Sequence, residues 1–167
     1  MVAPIILHAC EDRGVADHSY RFRSVWTLSA SADDVYQALA RLADYPAWWP
    51  EIKEVRSLNS EEYELRCRSV LPYDLVFTTT QTRRDPQARV LEAHLAGDLE
   101  GFSRWTIQEF PEGSRATFEE EVVANKKLLQ RLDPLARPAF KANHKLMMGH
   151  GERGLRTYLA GRRARWD

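Results

Sequence analysis

The sequence predicts an α+β domain in which a curved, seven-stranded antiparallel sheet wraps around a long C-terminal helix. Three observations predict it. Seven segments alternate apolar and polar residues with the period of a strand, and the last six follow one another across breaks of hairpin length. A helical stretch is inserted after the first strand, before the other six. Beyond Pro138 the apolar period changes from that of a strand to that of a helix.

The elements follow in order. Tyr20, Phe22, Ser24, Trp26 and Leu28 alternate with Arg21, Arg23, Val25 and Thr27, which is a strand with one face mostly buried. Ser31 is placed to cap a helix, with Asp33 and Asp34 in the first turn, where the helix dipole favours acids. Val35, Ala38, Leu39 and Leu42 form its apolar stripe. Pro46 and Pro50 bracket a turn carrying Trp48 and Trp49, so two short helices are expected after the first strand. Strands are then predicted over 52–58, 62–70, 74–83, 89–96, 99–110 and 114–124. The breaks between them are Asn59-Ser60, Leu71-Pro72, Asp85-Pro86, Gly97-Asp98 and Pro111-Glu112-Gly113, all turn-forming chemistry. In the last segment Pro134 and Pro138 break the chain, and Pro138 suits the first turn of a helix. From there Phe140, Asn143, His144, Met147, Gly151, Leu155 and Tyr158 share one face, and Lys141, Lys145, Glu152, Arg153 and Arg156 occupy much of the rest. A helix laid across the concave side of a curled sheet closes a core, or a cavity where packing is incomplete.

The 167 residues suit one domain. The expected divisions are a loose N-terminal arm over 1–18, the folded domain over 19–160 and a basic tail over 161–167. No stretch approaches the roughly 20 apolar residues of a membrane span. The apolar run from Val2 to Ala9 lacks a basic leader and a small-residue cleavage site, so no signal peptide is expected. Cys10 and Cys67 then read as free thiols in a reducing compartment, by default the cytoplasm. The zero net charge hides an asymmetry: residues 1–125 carry 13 Lys and Arg against 21 Asp and Glu, whereas residues 126–167 carry 11 against 3. Such a segment is either a surface for an anionic partner or a basic helix lying near an acidic sheet. The neutral total carries no protein-wide nucleic-acid signature, so no nucleic-acid partner is expected.

Several side chains are candidates for chemistry. Asn143 and His144 lie on the apolar stripe of the last helix, so each needs a buried partner. That partner is either a ligand, with His144 giving or taking a proton near neutral pH, or a strand backbone or neighbouring acid that fixes the helix. Glu120 shares its face with Ala116, Phe118 and Val122. It is expected either to meet Arg104, His144 or a ligand, or to turn outward at a bulge. Trp48, Trp49 and Trp105 supply aromatic walls for a pocket or fill a core. Gly149, Gly151 and Gly154 each cost about 1 kcal/mol relative to alanine inside a helix. Either something approaches closely there, or the helix kinks. His94 is expected to face solvent and Cys67 to be a small core residue.

Other chemistries are set aside. Gly97-x-x-x-Gly101 is a hairpin signal rather than a phosphate cradle, and neither H-E-x-x-H nor C-x-x-C occurs. His144 and His150 fall on different helix faces. No cofactor or metal is therefore expected.

Local sequences in this order resemble a known superfamily. They are Phe22-x-x-x-Trp26, Asp34-Val35-Tyr36, Tyr45-Pro46-x-Trp48-Trp49-Pro50, and Gly97-Asp98-Leu99-Glu100-Gly101 with Trp105. Phe140-x-x-Asn143-His144 and Met148-x-x-Gly151-Glu152-x-x-Leu155 complete the set. Over about residues 19–160 the chain resembles the START/Bet v 1-like (SRPBCC) helix-grip proteins, most of all the branch labelled polyketide cyclase/dehydrase-like. The resemblance implies the helix-grip fold, while the superfamily's functions range from carriers and receptors to enzymes. Three readings follow. The first is a binder of a small hydrophobic molecule (a lipid, polyketide or aromatic metabolite) between sheet and helix. The second is a cyclase or dehydratase in which His144 and Glu120 move protons. The third is an interaction module using the basic helix end. The expected ligand-binding residues are Trp48, Trp49, Trp105, Phe140, Asn143, His144, Met147 and Gly151, around a cavity of about 300–1,000 Å³. The chain is expected to act as a monomer or homodimer.

Overall fold

Tyr20, Trp26 and Leu28 are almost completely buried, so the alternation read in the sequence sets strand β1 (Ser19–Leu28) with one face against the core. The computed structural model describes residues 19–70, 73–126 and 133–164. The expected N-terminal arm, Cys10 and the Leu71-Pro72 break lie outside the described residues. Helix α1 (Ala32–Leu39) follows β1, and the Ser31 hydroxyl accepts from the Asp34 N–H as its cap. A 3₁₀ turn (Leu42–Asp44) leads into the short helix α2 (Tyr45–Trp48). Six strands then run in succession: β2 (Ile52–Ser57), β3 (Glu62–Arg68), β4 (Asp74–Asp85), β5 (Val90–Gly97), β6 (Leu99–Phe110) and β7 (Gly113–Ala124). Helix α3 (Asp133–Arg163) closes the described chain.

The seven strands form one antiparallel sheet in the order β1-β7-β6-β5-β4-β3-β2. The meander places β7 back beside β1, which leaves β1 and β2 as the two edges. Alternation puts one residue set of each strand towards α3, and Leu65, Leu75, Leu95, Trp105, Phe118 and Val122 join the core with Trp26, Phe140, Met148 and Leu155. Arg21–Glu121, Arg23–Glu119 and Arg104–Glu92 pair at 3.4, 3.9 and 2.8 Å, the first two pairs well exposed and the third less so. These acids thus find arginines on neighbouring strands of the sheet itself.

The last helix departs from expectation at both ends. It begins at Asp133, so Pro138 sits inside it rather than in its first turn. Pro134 takes the early position instead, where a proline's missing N–H costs nothing because the first-turn donors have no partners within the helix. At the other end it runs to Arg163, beyond the expected start of the tail at 161. One continuous helix spans Gly149, Gly151 and Gly154.

Helix α3 also covers the exposed edge of β1. Glu152 Oε1 accepts the Thr27 N–H at 3.0 Å, Arg156 Nη2 donates to the Thr27 carbonyl at 2.8 Å, and the two side chains bond to each other. Backbone groups that an edge strand would leave open are thereby satisfied. Glu152→Ala should cost about 1 kcal/mol, the usual net value of one hydrogen bond. Glu152→Gln, which keeps an acceptor oxygen, should cost less. Urea denaturation measures both, and equal losses would show that the charge, not the bond to Thr27, is what matters.

Candidate functional site

The site is built from residues that alternation turns inward. On β7, Phe118, Glu120 and Val122 face α3, and Glu120 stays 8% exposed. The pairing of β7 with β1 and with β6 runs through Glu120 without a register shift, so no bulge turns it outward. Its partner comes from the helix. His144 Nε2 lies 3.3 Å from Glu120 Oε2, whereas Arg104 pairs with Glu92 and Glu119. The His144 ring stacks on Phe22 at a centroid distance of 3.8 Å and 11° between planes. Phe118 lies farther along at 6.2 Å. A histidine held by one carboxylate and one ring face has a fixed orientation, which proton transfer requires.

Asn143 is buried, and its partner is neither a strand backbone nor an acid but a side-chain hydroxyl. Its Oδ1 accepts from the Ser69 hydroxyl, and its Nδ2 approaches Met147 Sδ at 3.4 Å. It ties α3 to the residue just beyond β3, although it also borders the cavity.

That cavity lies between the sheet and α3 and has a volume of about 170 Å³. Trp49, Trp105, Phe140, Asn143, His144, Met147 and Glu120 all line it. Its other walls are chiefly apolar and include Leu39, Tyr45, Ile52, Leu65, Leu91 and Phe118. The volume falls short of the expected range because large side chains project into the space. Trp105 and Phe118 pack at 4.7 Å, and Trp26 lies 4.7 Å from Trp105.

Two expected ligand contacts are corrected. Trp48 does not line the cavity. It is buried beside Tyr45 at 4.8 Å, and its carbonyl faces Gly154, where an added Cβ would lie 1.7 Å from that oxygen. Gly151 does not line it either, since it lies under the Trp49 indole, whose Cε2 would be 2.6 Å from a Cβ there. Trp49 is fixed in that position by its N–H, which donates to the Met147 carbonyl at 3.0 Å. Both glycines are thus explained by the close approach of the Trp48-Trp49 segment. Gly149 has no such neighbour, with only Arg153 Nη1 at 3.9 Å from a Cβ.

Other lining residues did not stand out in the sequence. Thr79 and Gln81 are in phase with Leu75 and Phe77 on β4, and Ser103 is in phase with Trp105 on β6. The alternation that identified the apolar wall contained that signal. Cys67 is buried and borders the cavity. Burial pushes its thiol up to about 12, with the Glu120, Asp74 and Glu51 carboxylates adding to the effect. It is a protonated thiol at neutral pH and a poor nucleophile. The buried Tyr45 hydroxyl donates to the Leu39 carbonyl at 2.7 Å, and burial pushes its pKa above the ordinary phenol value. His94 is exposed.

A second buried acid lies outside the cavity lining. Glu51 bonds through Oε1 to His150 Nδ1, while its Oε2 is buried without a partner among the described residues. The pair joins the start of β2 to α3. Among the described residues no helix is long and apolar enough to cross a membrane.

Comparison with known proteins places this geometry in context. No curated protein matches the sequence. Among solved structures, the Zhui aromatase/cyclase from Streptomyces sp. R1128 superposes with a TM-score of 0.74 at 16% identity, over 87% of this chain and 96% of that one. A START superfamily protein from Mycobacterium smegmatis gives 0.61 at 16%, over 86% and 97%. A Thalictrum flavum norcoclaurine synthase point mutant, in complex with a transition-state analogue, gives 0.53 at 13%, over 79% and 96%. At these identities the likeness is one of fold, and the shared fold is the helix grip of the START/Bet v 1 superfamily. The sequence itself goes further: residues 20–156 match the model of the family described as polyketide cyclase/dehydrase and lipid transport, and the chain belongs to that family.

Proposed function

We propose that the protein binds a small hydrophobic molecule in the cavity between the sheet and α3. The observation that carries this reading is the composition of the wall, which is mostly aromatic and aliphatic with a few polar groups, the usual make-up of a small-molecule site. Size narrows the class. An apolar cavity of about 150 Å³ accepts a benzene-sized molecule, so the 170 Å³ here suits a compact ring compound better than an extended acyl chain. The family description, which covers both cyclases and lipid transport, supports small-molecule binding in general terms. Native mass spectrometry of the freshly purified protein should detect a retained ligand. Protein that is uniformly empty, and stays empty when incubated with aromatic and lipid mixtures, would overturn the reading.

A second reading is favoured by one observation, the His144–Glu120 pair at the cavity wall. A carboxylate that orients an imidazole beside an apolar cavity is the arrangement a cyclase or dehydratase would use to move a proton. The Streptomyces neighbour is named as an aromatase/cyclase, and the Thalictrum neighbour as a synthase. In an enzyme His144 would be the acid or base and Glu120 the group that orients it. His144→Ala should then lower turnover by about a hundredfold or more while affinity falls much less. In a binder the same change should weaken affinity with no reaction to lose. Asn143→Ala, measured beside it by ligand titration and thermal melting, should mainly lower the melting temperature, because Asn143 already bonds Ser69. If His144→Ala leaves affinity and turnover unchanged and lowers only the melting temperature, His144 is structural.

A further inference from the structure

The cavity wall holds a patch of polar side chains around one small residue. In the sheet register Gln81 pairs with Ala93, Ala93 with Ser103, and Ser103 with Glu120. These four positions form one row across β4, β5, β6 and β7, and all four residues line the cavity. Thr79, two residues before Gln81 on the same face, also lines it and is buried. Neighbouring strands lie about 4.8 Å apart, so the methyl of Ala93 sits between a carboxamide on one side and a hydroxyl on the other. Among the described residues, no side-chain hydrogen bond is made by Thr79, Gln81 or Ser103, whereas Glu120 has His144. Thr79 is buried and Gln81 and Ser103 are half-buried, so three polar side chains border an apolar space with hydrogen-bonding capacity that a polar group of a ligand can use. Lipid tails offer them nothing.

The geometry points to an oxygen-recognising niche over Ala93. It holds a hydroxyl or carbonyl group of the bound molecule between Ser103 and Gln81, with Thr79 within the same patch. This inference rests on the small-molecule reading above and narrows it from hydrophobic molecules in general to compact rings bearing an oxygen. The small side chain at 93 provides the space, and the hydroxyl and carboxamide can both donate and accept. Glu120 closes the row on the far side of Ser103, so an oxygen held there lies on the side of the cavity where the His144–Glu120 pair stands.

The test compares two near-isosteric probes, p-cresol and p-xylene, which differ by a hydroxyl in place of a methyl. Both are titrated calorimetrically into wild type, Ser103→Ala and Gln81→Met, with melting temperatures to establish that each variant is folded. Sites built to bond a hydroxyl discriminate strongly against analogues that lack it. The expected result is an affinity for p-cresol about fivefold lower in each variant, as the loss of one neutral hydrogen bond requires. The affinity for p-xylene should be unchanged or higher. Equal changes for both probes, or an unchanged p-cresol affinity in both folded variants, would overturn the niche while leaving the cavity reading intact. Failure of wild type to bind either probe would overturn the small-ring reading itself, and the niche with it. If one variant fails to fold, the other decides.

Discussion

Trp26→Ala should lower the free energy of unfolding by about 3–5 kcal/mol, the range for truncating a buried aromatic. Trp26 is 1% exposed. Its ring meets Trp49 at 5.4 Å and Trp105 at 4.7 Å, so a single truncation opens the space where β1, β6 and the segment after α2 converge. Trp26→Phe should cost much less. It keeps most of the ring packing, and among the described residues the indole N–H has no hydrogen-bond partner to lose. Urea denaturation of both variants provides the measurement. An alanine loss below about 1 kcal/mol would mean that the aromatic cluster collapses over the gap. A phenylalanine loss equal to the alanine loss would mean that the indole N–H is bonded after all.

Gly154→Ala should destabilise the protein although it improves the helix. Alanine gains about 1 kcal/mol over glycine in a helix interior. Here the new Cβ would stand 1.7 Å from the Trp48 carbonyl oxygen and 2.9 Å from its carbon. Those are backbone atoms, so no side-chain rotation relieves the contact, and α2 must move away from α3. Overpacking costs about 1–3 kcal/mol and occasionally more. The upper end applies to so close an approach and leaves a net loss of about 2 kcal/mol. Gly149→Ala is the control, because among the described residues a Cβ there meets nothing nearer than 3.9 Å. It should raise stability by up to about 1 kcal/mol. If both substitutions stabilise, α2 does not press on α3 as described.

Much of the fold was legible in the sequence because its signals are local. Strand alternation depends on neighbours two residues apart, and the Ser31 cap on atoms within one turn. Gly97-Asp98 and Pro111-Glu112-Gly113 break the chain wherever they stand. Even the inward direction of Glu120 follows from alternation with Phe118 and Val122, given a strand without a bulge. The start of the last helix was misread because Pro138 carries a strong start signal, while the turn before it contains a second proline that serves the same purpose.

The roles of the side chains within the site were less legible. Glycines at 151 and 154 announce that something comes close, but nothing in their spacing says whether a ligand, a strand or the Trp48-Trp49 segment does so. Trp48 and Trp49 are adjacent, and it is Trp49, held by its hydrogen bond to the Met147 carbonyl and its packing on Gly151, that borders the cavity. Gln81 and Ser103 are ordinary polar strand residues in the sequence, and only the register aligns them on either side of Ala93.

The sequence by itself therefore determined the order and kind of the elements, the face that each strand and helix buries, and the family to which the chain belongs. Only the tertiary structure decided that His144 meets Glu120 rather than a ligand alone, that Asn143 is already engaged by Ser69, and that the cavity is small. The physical reason is that these facts depend on where α3 lies along the sheet and how it is rotated. One residue of slippage turns a helix by about 100°, given 3.6 residues per turn. That rotation would carry His144 away from Glu120 without altering any local pattern in the chain, and what prevents it is the summed packing of Trp49 on Gly151, Trp48 on Gly154 and Glu152 on the edge of β1.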